Sequence, residues 1–291
     1  MSIDQTSDSP LLSVEDLHVS YNTPTGLVRA VSGVSFELGR EKLGIVGESG
    51  SGKSQTGRAI LGLSAPGGLV RAKRLEFKGT DLLTADNRTM RRIRGAGISM
   101  IMQDPKYSLN PVMTVGLQIE EAFRVHSKSS KQQARERTLD MLRAVKIREP
   151  ERVYKAYPHE VSGGMGQRIM IAMMMIPEPD IIIADEPTSA LDVTVQLQVL
   201  AVLDDMIKER GMGLIFISHD LSLIASFCDR ILIMYGGRVM EQCTAAELDQ
   251  AKHPYTRGLL NCLPGLNGSQ DDLPVLKRDP AWLEAPEQPY D

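Results

Sequence analysis

The sequence predicts an α/β domain built on a largely parallel sheet and interrupted by a helical subdomain. Three observations carry this expectation. Short apolar runs alternate with segments of helical periodicity, and a glycine-dense loop joins one such run to a helix. Between Pro105 and His159, a stretch of about 50 residues is rich in charged side chains, has helical spacing and contains no strand-like run. Strands are expected at Leu11–Ser20, Ala30–Leu38, Leu43–Val46, Leu75–Lys78, Ile98–Met102, Ile181–Ala184, Gly213–Ile217 and Ile231–Met234. Helices are expected at Lys53–Leu63, Leu117–Val125, Lys131–Val145, Gln167–Met175, Val193–Arg210 and Leu221–Phe227, where apolar residues recur every three or four positions. The boundaries are a tail over 1–10, one domain over 11–263 with its helical part at about 105–160, and a tail over 264–291 rich in proline and acid. Trp282 in that tail is either docked on the domain or exposed.

Composition narrows the function classes. The 291 residues are 42% hydrophobic and 24% charged, enough for a full core. The net charge of −4 gives no basic footprint for nucleic acid. Cys228, Cys243 and Cys262 show no paired or metal-type spacing, which fits a reducing compartment. The start MSIDQTSDSP lacks a signal-peptide pattern. The longest apolar run, Ile169 to Ile176, falls well short of the roughly 20 residues of a membrane span.

Gly47-Glu48-Ser49-Gly50-Ser51-Gly52-Lys53-Ser54 fits G-x-x-x-x-G-K-[ST] and lies between a strand and a helix, the context that motif requires. Its glycines let successive N–H groups face one concavity, and the following helix adds its positive end. Lys53 then supplies a cation for the β- and γ-phosphates, and the Ser54 hydroxyl is placed to ligate Mg²⁺. Gln55 follows on the same helix turn. The acidic strand end in "DIIIADEPTSALD" adds a second group of candidates. Asp185 is suited to hold magnesium through water, and Glu186 to orient or deprotonate a water attacking the γ-phosphate. Third, Ser162, Gly163 and Gly164 in "VSGGMGQR" open a helix with a hydroxyl N-cap, a second anion-binding helix start.

With these three motifs in order, and Ser162 standing 23 positions ahead of Asp185, the chain resembles an ATP-binding cassette (ABC) ATPase from about Leu11 to Leu263. The resemblance implies a P-loop NTPase sheet domain with an inserted helical subdomain and an N-terminal antiparallel β region. It implies ATP and Mg²⁺ as cofactors, with Ser162, Gly163 and Gly164 closing on the ATP of a partner ATPase. Met165 stands where the family usually has glutamine, and Gly166 where it has a larger, often basic residue. Gln103 in "IMQDP" resembles the glutamine that senses magnesium and the attacking water. Asp192 in "SALD" resembles the loop that reaches across the dimer. His219 in "FISHD" resembles the histidine that contacts the γ-phosphate, and Tyr21 in "LHVSYNT" the aromatic that stacks on adenine.

"HPYTRGLL", His253 to Leu260, together with "QDPKYSLNPVMTVGLQI", looks like the ATPases of oligopeptide, dipeptide and nickel importers. That branch implies two membrane permease subunits, a second ATPase that is a paralogue or a copy, an extracytoplasmic solute-binding protein, and a place on the cytoplasmic face of the cell membrane. Many members carry a cysteine-rich C-terminal segment for an iron–sulfur cluster. With Cys262 alone there, no cluster is expected. An exporter ATPase and a soluble non-transport cassette are the alternatives.

Overall fold

A computed structural model describes residues 9–104, 108–189, 191–262 and 279–283. The N-terminal tail before residue 9 and most of the C-terminal tail lie outside the described residues. The chain divides into two compact units, one formed by Met1–Leu83 with Phe216–Asp291, the other by Thr84–Ile215.

The first unit begins with a hairpin of β1 (Leu12–Thr23) and β2 (Gly26–Leu38), paired antiparallel from Leu12 opposite Leu38 to Thr23 opposite Gly26. Leu12 and Val14 are buried, and so are Leu17 and Val19 beyond the register shift between Val14 and Leu17, as are Val34, Phe36 and Leu38 opposite, so one face of the ribbon is core. β3 (Lys42–Val46) leads through residues 47–52 into α1 (Lys53–Ile60). The strands β4 (Gly68–Arg71) and β5 (Arg74–Phe77) both pair antiparallel with β1, and the two-residue β6 (Thr80–Asp81) pairs with β5. This is the N-terminal antiparallel region that the sequence led one to expect.

In the second unit, α2 (Asn87–Ala96) is capped by Asp86, whose Oδ1 accepts from Thr89 N at 2.7 Å. β7 (Ile98–Ile101) follows, then the helices α3 (Val115–His126), α4 (Lys131–Ala144) and α5 (Pro150–Lys155). Ser130 and Gln133 form a reciprocal capping box at the start of α4. Tyr154 locks α5 against α3. A side chain on Gly116 would meet its ring at 2.2 Å, and its hydroxyl donates to Glu120. Burial first, and the Glu120 carboxylate second, push that phenol up to about 12. Next come α6 (Gly163–Met175), β8 (Ile181–Asp185), which runs parallel to β7, and α7 (Val193–Arg210), ended by Gly211 at a φ of 59°.

β9 (Gly213–Ser218) carries the chain back into the first unit. There α8 (Leu221–Phe227) precedes β10 (Arg230–Tyr235), which lies parallel to β3. β11 (Arg238–Thr244) pairs antiparallel on the far side of β10, and α9 (Pro254–Asn261) follows. No described helix is long and apolar enough to cross a membrane.

Helix α6 starts four residues ahead of the expected Gln167, because Ser162 supplies the cap and the glycines fill the first turn. Of Met170, Met173, Met174 and Met175, all expected to pack a core helix, Met170 and Met175 are fully buried and Met173 and Met174 half-buried.

Candidate functional site

The first unit carries the glycine-rich loop expected to hold phosphate. β3 is buried from Leu43 to Val46, and its end delivers Gly47 directly against β10: a side chain there would lie 2.1 Å from Met234 O. Gly52, the N-cap of α1, has a φ of 95°, and a Cβ on it would sit 2.3 Å from Ala30 O. Only glycine fits both the conformation and the space. Lys53 is 5% exposed, and its ammonium donates to Gly47 O at 2.8 Å, Glu48 O at 2.9 Å and Ser51 Oγ at 3.4 Å. The cation is thus aimed into the concavity of its own loop. Gly237 N donates to Ser51 O at 3.1 Å, which ties the loop to the turn after β10. Tyr21, on β1, donates its hydroxyl to Gln55 Oε1 of α1 at 2.6 Å, so the expected adenine platform is braced by a residue of the loop helix.

His219 stands in the same unit, exposed between β9 and α8. Its neighbours hold that junction. Ser218 Oγ accepts from Asp220 N at 3.0 Å, and Asp220 Oδ1 caps α8 by accepting from Leu223 N at 3.0 Å.

The second unit carries the acidic strand end. β8 is buried throughout, including Asp185 at 4% exposure. Glu186 follows with a φ of 48°, a left-handed conformation that costs a non-glycine residue energy and recurs at active sites. Gln103 reaches it from the end of β7: its Nε2 donates to Glu186 Oε2 at 3.1 Å and to Ser189 Oγ at 3.4 Å. Ser189 in turn donates to Glu186 O at 3.2 Å. The pair expected to handle water, Gln103 and Glu186, is therefore in contact. Ser189 was not singled out from the sequence. Its only local signal is a hydroxyl three residues after Glu186 in a proline-containing turn.

Also in this unit, Ser162 Oγ accepts from Met165 N at 3.4 Å at the start of α6, leaving the N–H groups of Gly163 and Gly164 at an exposed helix end. Gly164 is required by α7: a side chain there would lie 2.5 Å from Val195 Cγ1. Asp192 caps α7 by accepting from Val195 N at 3.1 Å. Beside it, Val193 and Leu197 are 73% and 61% exposed, an apolar pair one turn apart on the surface.

Of the side chains expected to hold magnesium, Ser54 lies in the first unit and Gln103 and Asp185 in the second, and each carries an oxygen, the donor type that Mg²⁺ takes. Among the described residues, no group of three or more His, Cys, Asp or Glu side chains is placed to hold a metal by itself. Cys228 is buried, Cys243 half-buried and Cys262 exposed, none of them in a disulfide.

Comparison with known proteins follows the same lines. The ABC transporter family pattern matches residues 31–189. The oligopeptide transport ATP-binding protein OppD of Haemophilus influenzae is 44% identical over 277 residues, covering 94% of this chain and 85% of its own. The dipeptide transport ATP-binding protein DppD of Bacillus subtilis is 47% identical over 279 residues, covering 95% and 83%. Among solved structures, a dimeric bacterial ABC transporter cassette superposes with a TM-score of 0.72 at 25% identity, covering 80% of this chain and 98% of that one.

Proposed function

This chain belongs to the ABC transporter family and is an ATPase of it, and on that premise we propose that it powers the import of oligopeptides or dipeptides. The observation that carries the reading is the 44–47% identity to oligopeptide and dipeptide transport ATP-binding proteins along at least 94% of the chain. The partners are two membrane permease subunits, a second ATPase that is a copy or a paralogue, and, indirectly, an extracytoplasmic solute-binding protein. The chain sits on the cytoplasmic face of the membrane.

The residues divide the work as their local geometry suggests. Backbone N–H groups of residues 47–54 and the Lys53 ammonium hold the phosphates, and Tyr21, braced by Gln55, stacks on adenine. Ser54, Gln103 and Asp185 would hold Mg²⁺, which neutralises charge on the β- and γ-phosphates. Glu186, in hydrogen-bond contact with Gln103, orients the attacking water and takes its proton, while His219 contacts the γ-phosphate. Ser162, Gly163 and Gly164 close on the ATP of the partner ATPase, and Asp192 lies at that interface. The exposed Val193 and Leu197 beside Asp192 support a buried face there.

The test is ATP turnover of the chain assembled with its permeases in lipid, with and without binding protein loaded with a dipeptide, an oligopeptide or a nickel chelate. Stimulation by a peptide-loaded binding protein is the expected result. Stimulation by the nickel chelate alone would replace the peptide assignment, and turnover indifferent to every binding protein would overturn the importer reading.

A further inference from the structure

The "HPYT" segment and the one tryptophan meet at a place that the catalytic roles above leave unused. Tyr255, in the first turn of α9, is fully buried, and its ring lies 4.8 Å from that of Tyr235 at the end of β10. Its hydroxyl accepts from Glu48 N, in the phosphate loop, at 3.4 Å. The start of α9 is itself fixed, because the Glu241 carboxylate accepts from Lys252 N at 2.7 Å and from His253 N at 3.2 Å.

The short turn Pro280–Leu283 covers this cluster. Trp282 presents its ring edge-on to His253 at 5.6 Å, Tyr255 at 5.8 Å and Tyr235 at 6.0 Å, separations and tilts at which aromatic rings attract. Leu283 fills the space over Gly236, where a side chain would lie 2.2 Å from its Cδ2. Gly237, the next residue, is the one that donates to Ser51 O of the loop. The C-terminal turn therefore rests on both elements that grip the loop, the Tyr255 hydroxyl at Glu48 and the 236–237 turn at Ser51.

A loop of glycines has little stiffness of its own, so its binding shape depends on what holds it from outside. We propose that Tyr255 is a positioning residue for the phosphate loop and that Trp282 and Leu283 clamp it, so that the affinity for ATP is set in part by the C-terminal turn. This rests on the assignment of residues 47–54 as the ATP phosphate loop.

The experiment uses the full chain with its partner subunits. ATP affinity is read with a fluorescent ATP analogue, and KM and kcat from turnover, for wild type, Tyr255→Phe, Trp282→Ala, Trp282→Phe and Lys53→Ala. Removing one hydroxyl contact or one set of ring contacts is expected to raise the ATP Kd and KM about three- to ten-fold with kcat unchanged. Trp282→Phe is expected to restore affinity, and the emission of Trp282 in the wild type to shift on addition of ATP. Wild-type affinity in both Tyr255→Phe and Trp282→Ala, with Lys53→Ala defective, overturns the clamp and leaves the loop assignment standing. Wild-type affinity in Lys53→Ala overturns the loop assignment itself. A fall in kcat that follows the melting temperature, without rescue by Trp282→Phe, marks a structural role only and also overturns the clamp.

Discussion

Lys53 and Glu186 are positioned by opposite means. The loop around Lys53 is shaped by backbone: Gly47 and Gly52 stand where any side chain would strike a carbonyl of a neighbouring strand, and the ammonium is anchored on main-chain oxygens of its own loop. Glu186 instead sits in a strained left-handed conformation, its carboxylate held by the Gln103 side chain and its carbonyl by Ser189 through both N and Oγ. A backbone cradle tolerates little substitution and changes little between states. A side-chain network can be rearranged at the cost of one or two hydrogen bonds, which suits a group that must act only at one point of a cycle.

Substitutions on either side sharpen this contrast. Glu186→Gln should lower kcat by on the order of 10²- to 10⁴-fold, the usual loss when a proton acceptor is removed, while ATP still binds. Turnover in the assembled transporter, beside an ATP-binding isotherm, checks this, and wild-type turnover would sink the role of Glu186. Lys53→Ala removes charge-assisted contacts and should weaken ATP binding by about 10- to 100-fold. Unchanged binding by calorimetry would count against the loop. Gly52→Ala forces a Cβ onto Ala30 O at a positive φ and should cost on the order of 1–3 kcal/mol in conformational strain, seen as a lowered melting temperature together with weakened ATP binding. Loss of stability with full ATP affinity would separate the cradle from the ligand. The smallest effect is expected at Ser189→Ala: its hydroxyl makes two long hydrogen bonds, from Gln103 and to Glu186 O, together about 1 kcal/mol, hence roughly a five-fold drop in kcat with ATP affinity intact. A drop in affinity instead would mean that the two regions are not independent.

The sequence was most readable where local chemistry decides the structure. Helices α7 and α8 begin and end where they were expected, because Asp192 and Asp220 cap their starts and Gly211 ends the first of them. The apolar strands β3, β8 and β9 were equally plain, since strands buried on both faces read as unbroken runs of Ile, Leu and Val. β4 and β11 were missed. They are antiparallel strands of largely exposed or half-buried residues, and "GLVR" and "RVMEQCT" carry neither a clean alternation nor an apolar run. The polar "NRTMRRIRGA" of α2 buries only Met90 and Ile93, too little to register as a periodic stripe. At the site, the phosphate loop and the acidic strand end were legible as motifs. The contact of Gln103 with Ser189, 86 positions apart, and of Tyr255 with Glu48, 207 apart, has no local signature, because folding alone brings those residues together.

The division of the first unit between the two ends of the chain has a consequence for how the protein is made. β3, which delivers the phosphate loop, pairs with β10, and Lys42 N is satisfied by Asp229, 187 positions later. At about 5–20 residues per second, a ribosome needs roughly 10–40 s after making Lys42 to supply that partner. Throughout that interval the apolar strand "LGIV" is without its β10 neighbour, while the second unit, continuous in sequence, is completed. Non-local closure of this kind is slow, so the loop expected to hold phosphate gains the support of the β3–β10 pairing only after that interval.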